Sequence, residues 1–343
     1  MVACNFTEKL SNPPLGAFYI AHGAVYILPY TLCLKAMKHR VLRHLASYKI
    51  MFFMGLTDMA QLLFNCFVPG TLSILGSPFC PDHYYSNRFL ASIAYSTWIT
   101  YSTVCVLLAA ERFLQDTELS IYLFNGSRVN FWLGLCLTYG LIQGLVHLTP
   151  IASFTYHADV GHYEGGKVTK IGFAMFLSHN TLTVSSLVLL YLATVIKYRK
   201  KLAEIQRGAT QADRCMRSLM ATSVIICSFT AIAAVSYVLA PTIDTHWPFQ
   251  PSFLTLAHIA WQAISGGNCI VYLSINQTIR ENVHRFLMKQ FYGVQATYSS
   301  VLGEREIVET PLANLGRNCD LSVRGISATL ETGFVHTSPS ILR

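Results

Sequence analysis

The sequence predicts an all-α membrane protein. Its expected architecture is a seven-transmembrane helix bundle with the N-terminus outside, the C-terminus in the cytoplasm and an amphipathic surface helix after the last span. Composition is the first observation behind this prediction, because 52% of the 343 residues are hydrophobic and only 12% are charged. Soluble domains carry roughly a quarter charged residues. The second observation is a series of long apolar segments, and the third is an uneven distribution of Lys and Arg between loops.

Each apolar segment has the length that a bilayer demands, since about 20 mainly apolar residues form a helix that crosses one. The segments lie at residues 15–37, 49–75, 89–113, 129–152, 171–196, 215–240 and 250–275. The first begins late and is long enough to remain as an anchor, so we expect no cleavable signal peptide. The predicted divisions are an extracellular N-terminus at 1–14, a membrane domain with its surface helix at 15–292, and a disordered cytoplasmic tail at 293–343.

The basic residues set the orientation of the bundle. Cytoplasmic loops collect Lys and Arg, and one set of alternating loops holds 21 of them while the other set holds 4. The smaller set consists of Lys9, Arg88, Lys167 and Lys170. The N-terminus is therefore predicted outside and the tail inside. The net charge of +8 reflects this orientation, and we expect no nucleic-acid partner.

Two features depend on that orientation. The sequence Asn-Phe-Thr beginning at Asn5 is a glycosylation sequon on the outer side, whereas those at Asn125 and Asn276 fall on the cytoplasmic side and should carry no glycan. Cys4 and Cys80 face the oxidising exterior, which makes them candidates for a disulfide. The alternative is that Cys80 is a buried thiol.

Polar residues recur on one face of several spans, and polar groups at membrane depth normally face the interior of a bundle. These stripes comprise Asp58, Gln61 and Asn65 in the second span; Tyr95, Trp98, Ser102, Cys105 and Arg112 in the third; His179, Thr183 and Ser186 in the fifth; and His258, Gln262, Ser265, Asn268 and Tyr272 in the seventh. Asp58, Asn65 and Ser265 predict an interior polar site for water or sodium. The histidines also fit satisfied interior residues, and Trp98 and Tyr237 also fit simple packing.

An amphipathic pattern follows the seventh span. Apolar residues recur at the helical spacing of one face, and basic residues occupy other positions. The apolar residues are Ile279, Val283, Phe286, Leu287 and Phe291. Such a helix is suited to the inner leaflet, where its cations meet anionic lipid.

These features together resemble a G-protein-coupled receptor. Glu111-Arg112-Phe113 stands where rhodopsin-like receptors carry an acid-Arg-aromatic triplet. Asp58 matches their acidic residue of the second span, and the stretch from Asn268 to Tyr272 resembles their Asn-Pro-x-x-Tyr without its proline. The sequence departs from that pattern in three ways. It has no proline inside the fifth span, no Cys-Trp-x-Pro in the sixth, and no cysteine between the fourth and fifth spans.

A more specific resemblance is to the nematode serpentine chemoreceptors of class T. It is carried by YILPYTLCLKAM at 26–37, SYKIMFFMGLTDM at 47–59 and LSILGSPFC at 72–80, and Glu111 is a departure from it. The resemblance implies chemosensory signalling through a heterotrimeric G protein at the plasma membrane, with the sensory cilium as a candidate location. The ligand would be an unidentified small molecule. Homo- or hetero-oligomers remain open.

A two-state mechanism fits these residues. Trp98 and Arg112 share a face of the third span, and the 14 residues between them correspond to about 21 Å of helix. The ligand pocket is expected among Trp98, Tyr101, His179, Tyr237, His258 and Gln262. The residues expected to couple to the G protein or to switch are Glu111, Arg112, Asp213, Asn268 and Tyr272. At rest Arg112 would pair with Glu111 and Asp213, and on activation it would meet the G protein. The alternative for Asp213 is a pair with Arg217 on its own helix.

The sequence also bears on three other functional classes. A retinal protein needs a lysine in the seventh span, and residues 250–275 contain none. A small transporter or channel is the stronger alternative, because inward polar stripes also line permeation paths. Against it, no internal repeat is evident. No nucleophile motif or metal-ligand spacing indicates an enzyme, and neither a cofactor nor a metal is predicted.

Overall fold

The computed structural model describes residues 11–39, 42–76, 81–115, 117–152, 154–165, 170–205, 211–244 and 252–301. In chain order, the described elements are α1 (Pro13–Met37), α2 (Ala46–Leu62), α3 (Val68–Leu75), α4 (Pro81–Leu114), α5 (Glu118–Phe124), α6 (Arg128–His147), β1 (Phe154–His157), β2 (His162–Gly165), α7 (Lys170–Ile205), α8 (Gln211–Asp244), α9 (Phe253–Ser274) and α10 (Gln277–Val301). The spans are α1, α2 with α3, α4, α6, α7, α8 and α9, so the predicted bundle is confirmed.

The bundle is polar inside and apolar outside, as a protein in lipid must be. Leu28 and Leu182 are 69% and 67% exposed on its surface, whereas Asp58 and Arg112 are fully buried. Among the described helices, counting α2 and α3 as one, six are long and apolar enough to cross a membrane. The seventh span, α9, is 22 residues long and carries a row of polar residues on its inner face.

The third span, α4, lies at the centre of the bundle. It packs against α2, α6, α7 and α8, and Ile99, Val104 and Leu108 are fully buried on it. It begins at Pro81 rather than at the predicted residue 89, and α7 likewise ends at Ile205 rather than at 196. The sequence prediction was short because hydropathy marks only the part of a helix within the membrane. Polar turns without a helix breaker continue the helix beyond it.

The second span is interrupted by a π-helical turn at Leu63–Phe67. Pro69 has no N–H and cannot bond the carbonyl oxygen four residues before it, which is that of Asn65. The Val68 N–H instead bonds the Leu63 oxygen, five residues back. Pro69 therefore leaves the Asn65 carbonyl free for a partner on another helix.

A β-hairpin that the sequence did not predict lies between the fourth and fifth spans. The strands are antiparallel with Tyr156 opposite Tyr163, and Gly161 turns the chain at a φ of 78°. The fourth span was expected to reach residue 152, but α6 ends at His147 and a short 3-10 turn follows at Pro150–Ala152. Proline cannot continue the helix, and four-residue strands give little periodicity to detect.

The surface helix α10 packs its apolar face against the inner ends of the bundle. Ile279 and Val283 are buried, and the Lys35 ammonium lies 4.9 Å from the centre of the Phe286 ring. The helix continues to Val301, past residue 293 where the tail was expected to begin. Residues 294–301 contain neither Pro nor Gly, so no helix breaker stands there. Residues 302–343 lie outside the described ranges.

Candidate functional site

The outer half of the bundle contains a group of packed rings, which we call the outer cluster: Tyr19, Trp98, Tyr163, Tyr237, His258 and Trp261. The Trp261 ring lies 5.4 Å from that of Trp98 and 5.3 Å from that of Tyr237, measured between ring centroids. None of the six side chains is more than 9% exposed. The outer cluster thus joins α1, α4, α8, α9 and the hairpin.

His258 has a defined tautomer in this arrangement. Its Nε2 lies 3.1 Å from the Asn65 carbonyl oxygen, which can only accept, so Nε2 carries the proton. The Tyr237 hydroxyl then donates to Nδ1 at 2.9 Å. The Gln262 Nε2 also donates to the Asn65 oxygen, at 2.6 Å. The carbonyl that Pro69 leaves free therefore binds two side chains of α9.

The hairpin covers the outer cluster. Tyr163 donates its hydroxyl proton to the Phe64 oxygen at 2.5 Å, and Tyr19 donates to the Gly161 oxygen at the same distance. Burial raises the pKa of Tyr163 well above its usual value, so the hydroxyl remains a donor. Asn87 on α4 holds the Tyr156 backbone through both the N–H and the carbonyl oxygen.

A second polar group, the middle layer, lies further in and comprises Tyr30, Asp58, Tyr101 and Asn268. Asp58 accepts a hydrogen bond from Tyr30 and another from Asn268 Nδ2 at 2.9 Å. Asn268 Nδ2 also lies 2.7 Å from the Tyr101 hydroxyl oxygen. Within the described ranges, no group of three or more His, Cys, Asp or Glu side chains could hold a metal ion.

At the inner end, Arg112 is fully buried and its Nε lies 3.2 Å from Glu111 Oε2. Ser47 on α2 donates to the other carboxylate oxygen of Glu111 at 2.8 Å. Arg112 Nη1 also donates to Gln115 Oε1 at 3.0 Å. Lys197 on α7 donates to the Phe113 and Gln115 carbonyl oxygens at 2.9 and 2.8 Å. We call these residues the inner cluster: Ser47, Glu111, Arg112, Gln115 and Lys197.

The structure brings together only part of the predicted pocket. Trp98, Tyr237 and His258 share the outer cluster, and Gln262 adjoins it through the Asn65 oxygen. Tyr101 lies deeper, in the middle layer. His179 faces elsewhere, with its Nε2 2.8 Å from the Ser102 hydroxyl and its Nδ1 3.3 Å from that of Tyr139.

The other predicted residues are distributed as follows. Asn65 and Ser265 do not bond Asp58; Ser265 donates to Gln61 Oε1 at 3.0 Å. Tyr272 is fully buried, and its ring lies 6.3 Å from that of Tyr30. The side chain of Asp213, and the whole of Cys4, Asn5 and Cys80, lie outside what the structure describes.

Several contacts escaped the sequence analysis. Asn180 accepts from the Trp98 indole N–H at 3.2 Å and immediately follows the predicted His179. Trp261 likewise precedes the predicted Gln262. Ser47 and Lys197 bind partners more than 60 positions away in the sequence, and no periodicity signals such pairs. Pro69 was a usable signal, because a proline inside a span always frees a carbonyl.

Comparisons with known proteins agree with this geometry. A family model described as serpentine type 7TM GPCR chemoreceptor Srt matches residues 3–295. A protein named serpentine receptor class T-55, from Caenorhabditis elegans, is 22% identical over 271 residues, which cover 78% of this chain and 72% of that protein. The crystal structure of squid rhodopsin matches with a TM-score of 0.66 and 13% identity, over 90% of each chain. The likeness to rhodopsin concerns the fold alone.

Proposed function

The chain belongs to the serpentine type 7TM GPCR chemoreceptor family Srt, and from this premise we propose that it is a chemosensory receptor that activates a heterotrimeric G protein in response to a small molecule. The family is one of receptors rather than of enzymes, and the protein crosses the membrane several times. The plasma membrane, including that of a sensory cilium, is the proposed location. The glycan on Asn5 and the Cys4–Cys80 disulfide remain proposals of the same kind.

One observation supports the proposal most strongly: α4 contributes to both ends of the bundle. Trp98 belongs to the outer cluster, and Arg112, 14 positions later on the same helix, belongs to the inner cluster. A ligand among the outer rings would favour one arrangement of the helices, and its effect would be limited to its differential affinity for the two arrangements. The inner cluster would report that arrangement to the G protein.

We propose the outer cluster as the ligand site because it combines rings with polar groups in a buried place. Ligand sites are mostly apolar with a few placed polar groups, and here Tyr237, His258 and Gln262 supply those groups. The middle layer, with Asp58 and Asn268, is proposed as the switch between the two ends. It also stands as the proposed interior water or ion site.

The test is a screen of receptor-expressing cells with volatile and water-soluble odorants, read by calcium or cyclic nucleotide. Compounds that act are retested on purified receptor in lipid nanodiscs, measuring nucleotide exchange on added heterotrimeric G protein. We expect ligand-evoked exchange without ligand flux across proteoliposomes. Flux without exchange would favour a transporter instead.

A matched pair of variants locates the site within the receptor. Tyr237→Phe removes the hydroxyl that bonds His258 and that the proposed site offers to the ligand. We expect it to raise the ligand concentration for half-maximal exchange about tenfold, which corresponds to a loss of about 1.4 kcal/mol of binding free energy. Tyr122→Phe removes a hydroxyl from a ring that is 66% exposed, and it should leave the value unchanged. Equal effects of the two variants would contradict the outer site.

A further inference from the structure

The side chain of Asn65 is unsatisfied in the bundle core. Asn65 is fully buried, and neither its Oδ1 nor its Nδ2 has a hydrogen-bond partner among the residues that the structure describes. Burying an amide without partners is unfavourable, and such groups are uncommon in folded proteins. An unpaired amide at this depth therefore indicates a binding partner that the chain itself does not supply.

A second unsatisfied group stands four residues earlier on the same span. Gln61 Oε1 accepts from the Trp261 indole N–H at 2.7 Å and from the Ser265 hydroxyl at 3.0 Å. Its Nε2 has no partner among the described side chains and backbone groups. The second span thus offers N–H donors on two amides and a carbonyl acceptor on one of them.

Both residues contact the outer cluster directly. The Asn65 carbonyl oxygen binds His258 and Gln262, and Gln61 binds Trp261. None of the residues that define the outer cluster is an acid, a lysine or an arginine. Asp58 belongs to the middle layer rather than to the rings; its Oδ2 accepts bonds from Tyr30 and Asn268, and its Oδ1 has no partner among the described residues. A charged ligand group among the rings would thus lose its hydration without gaining a counter-ion.

We propose that Asn65 and Gln61 form the polar floor of the ligand site and that the ligand is uncharged, with an apolar body and one group that both accepts and donates a hydrogen bond. A hydroxyl or a carboxamide has this chemistry. The proposal rests on the proposed ligand site in the outer cluster. Asn65, which the sequence predicted in the interior polar site for water or sodium, is thereby assigned to the ligand site instead.

The first test uses stability alone and needs neither ligand nor G protein. Asn180 is the matched control, because it is equally buried but its amide is satisfied, accepting from Trp98 and donating to the Phe176 oxygen at 2.9 Å. In ligand-free nanodisc protein, Asn65→Leu should raise the Tm, because it removes an unpaired polar group reserved for function. Asn180→Leu should lower it.

A second substitution, to the smaller alanine, controls for a loss of stability caused by the size of leucine. Asn65→Ala should also lower the Tm of the receptor by less than Asn180→Ala does. If Asn65 variants are destabilised as much as Asn180 variants with either substitution, a structural water already satisfies the amide and the proposal is overturned. This result would leave the proposed receptor function intact, because the experiment does not involve signalling.

The second test concerns the ligand class and uses four matched probes at millimolar concentration: 2-phenylethanol, phenylacetamide, phenylacetate and 2-phenylethylamine. The two neutral probes should raise the Tm of the unmodified receptor but not that of Asn65→Leu. The two charged probes should have no effect. Stabilisation by a charged probe, no stabilisation by either neutral one, or an equal shift in Asn65→Leu would overturn the assignment of the ligand class.

Discussion

At the residue scale, the pair of Glu111 and Arg112 shows how a buried charge is held in this bundle. Neighbouring residues on a helix point in different directions, yet the two side chains meet at 3.2 Å. Glu111 also reaches Ser47 on α2, and Arg112 reaches Gln115. Removing one partner of a buried ion pair costs more free energy of folding than the intact pair contributes. The reason is that the other charge remains buried without a counter-ion.

Glu111→Gln tests whether this pair restrains the receptor. The substitution removes the negative charge and keeps the shape, so Arg112 should be released more easily and basal nucleotide exchange should rise several-fold at equal surface expression. Glu118→Gln, at an exposed acidic residue in the first turn of α5, is the control and should change nothing. Equal basal activity in both variants would show that Glu111 does not restrain Arg112.

The burial of single residues was predictable from the sequence where polar residues recur on one face of a helix. The polar stripes correctly indicated buried positions for Asp58, Gln262 and Asn268. Exact partners were not predictable, because they depend on how two helices are rotated against each other. His179 and Asn180 differ by only one position, and the helix rotation selects Asn180 as the partner of Trp98.

At the element scale, glycines decide how closely the third and fourth spans approach. Ser92 on α4 donates to the Gly144 carbonyl oxygen of α6. A Cβ added at Gly140 would stand 2.8 Å from the Ser96 carbonyl oxygen and would collide with Thr100. Helices in membranes associate through such small residues, because lipid supplies no hydrophobic drive between them.

A pair of alanine substitutions on α6 tests this packing. Gly140→Ala should destabilise the purified receptor by about 1–3 kcal/mol, the usual range for overpacking, and should lower its Tm. Gly134→Ala introduces the same methyl group where nothing lies within 4 Å, and the helix preference for alanine should leave the Tm equal or slightly higher. A Gly140→Ala receptor as stable as the Gly134→Ala receptor would contradict close packing of α6 against α4 at Gly140.

Element boundaries were predicted less well than the existence of elements. The apolar runs identified every span, but the helices of the third, fifth and sixth spans project beyond those runs. The π turn at Leu63–Phe67 was missed because hydropathy does not distinguish helix types. The hairpin was missed because its strands owe their position to Asn87, Tyr19 and other distant partners rather than to a local pattern.

At the scale of the whole molecule, the bundle connects a covered outer end to a charged inner end. The hairpin bonds α1, α4, the second span and α9, so it joins several spans over the outer cluster. The inner cluster joins α2, α4 and α7. A rearrangement at one end is expected to change the other, because packed helices shift as rigid elements between discrete arrangements.

At this scale the orientation across the membrane stays a prediction that rests on the distribution of basic residues. Among the residues that the structure describes, Lys35 and Lys197 lie at the same end of the bundle as Arg112 and α10, and the hairpin lies at the other end. The ligand class proposed above was not predictable, because that proposal depends on which described atoms inside the bundle have no hydrogen-bond partner. That information exists only once the spans are packed.

The most direct measurement is expression-normalised activation of a heterotrimeric G protein by Arg112→Lys, Arg112→Ala and Arg128→Lys. Arg112 Nε lies in ion-pair contact with Glu111, and Nη1 of the same planar group donates to Gln115. A lysine ammonium cannot reproduce that geometry. We expect both Arg112 variants to reach the surface and to lose most basal and ligand-evoked activation. Arg128→Lys, at an exposed arginine on the same side, should retain it. Full activation by Arg112→Lys would contradict a coupling role for Arg112 and would leave it as a charge at the membrane edge.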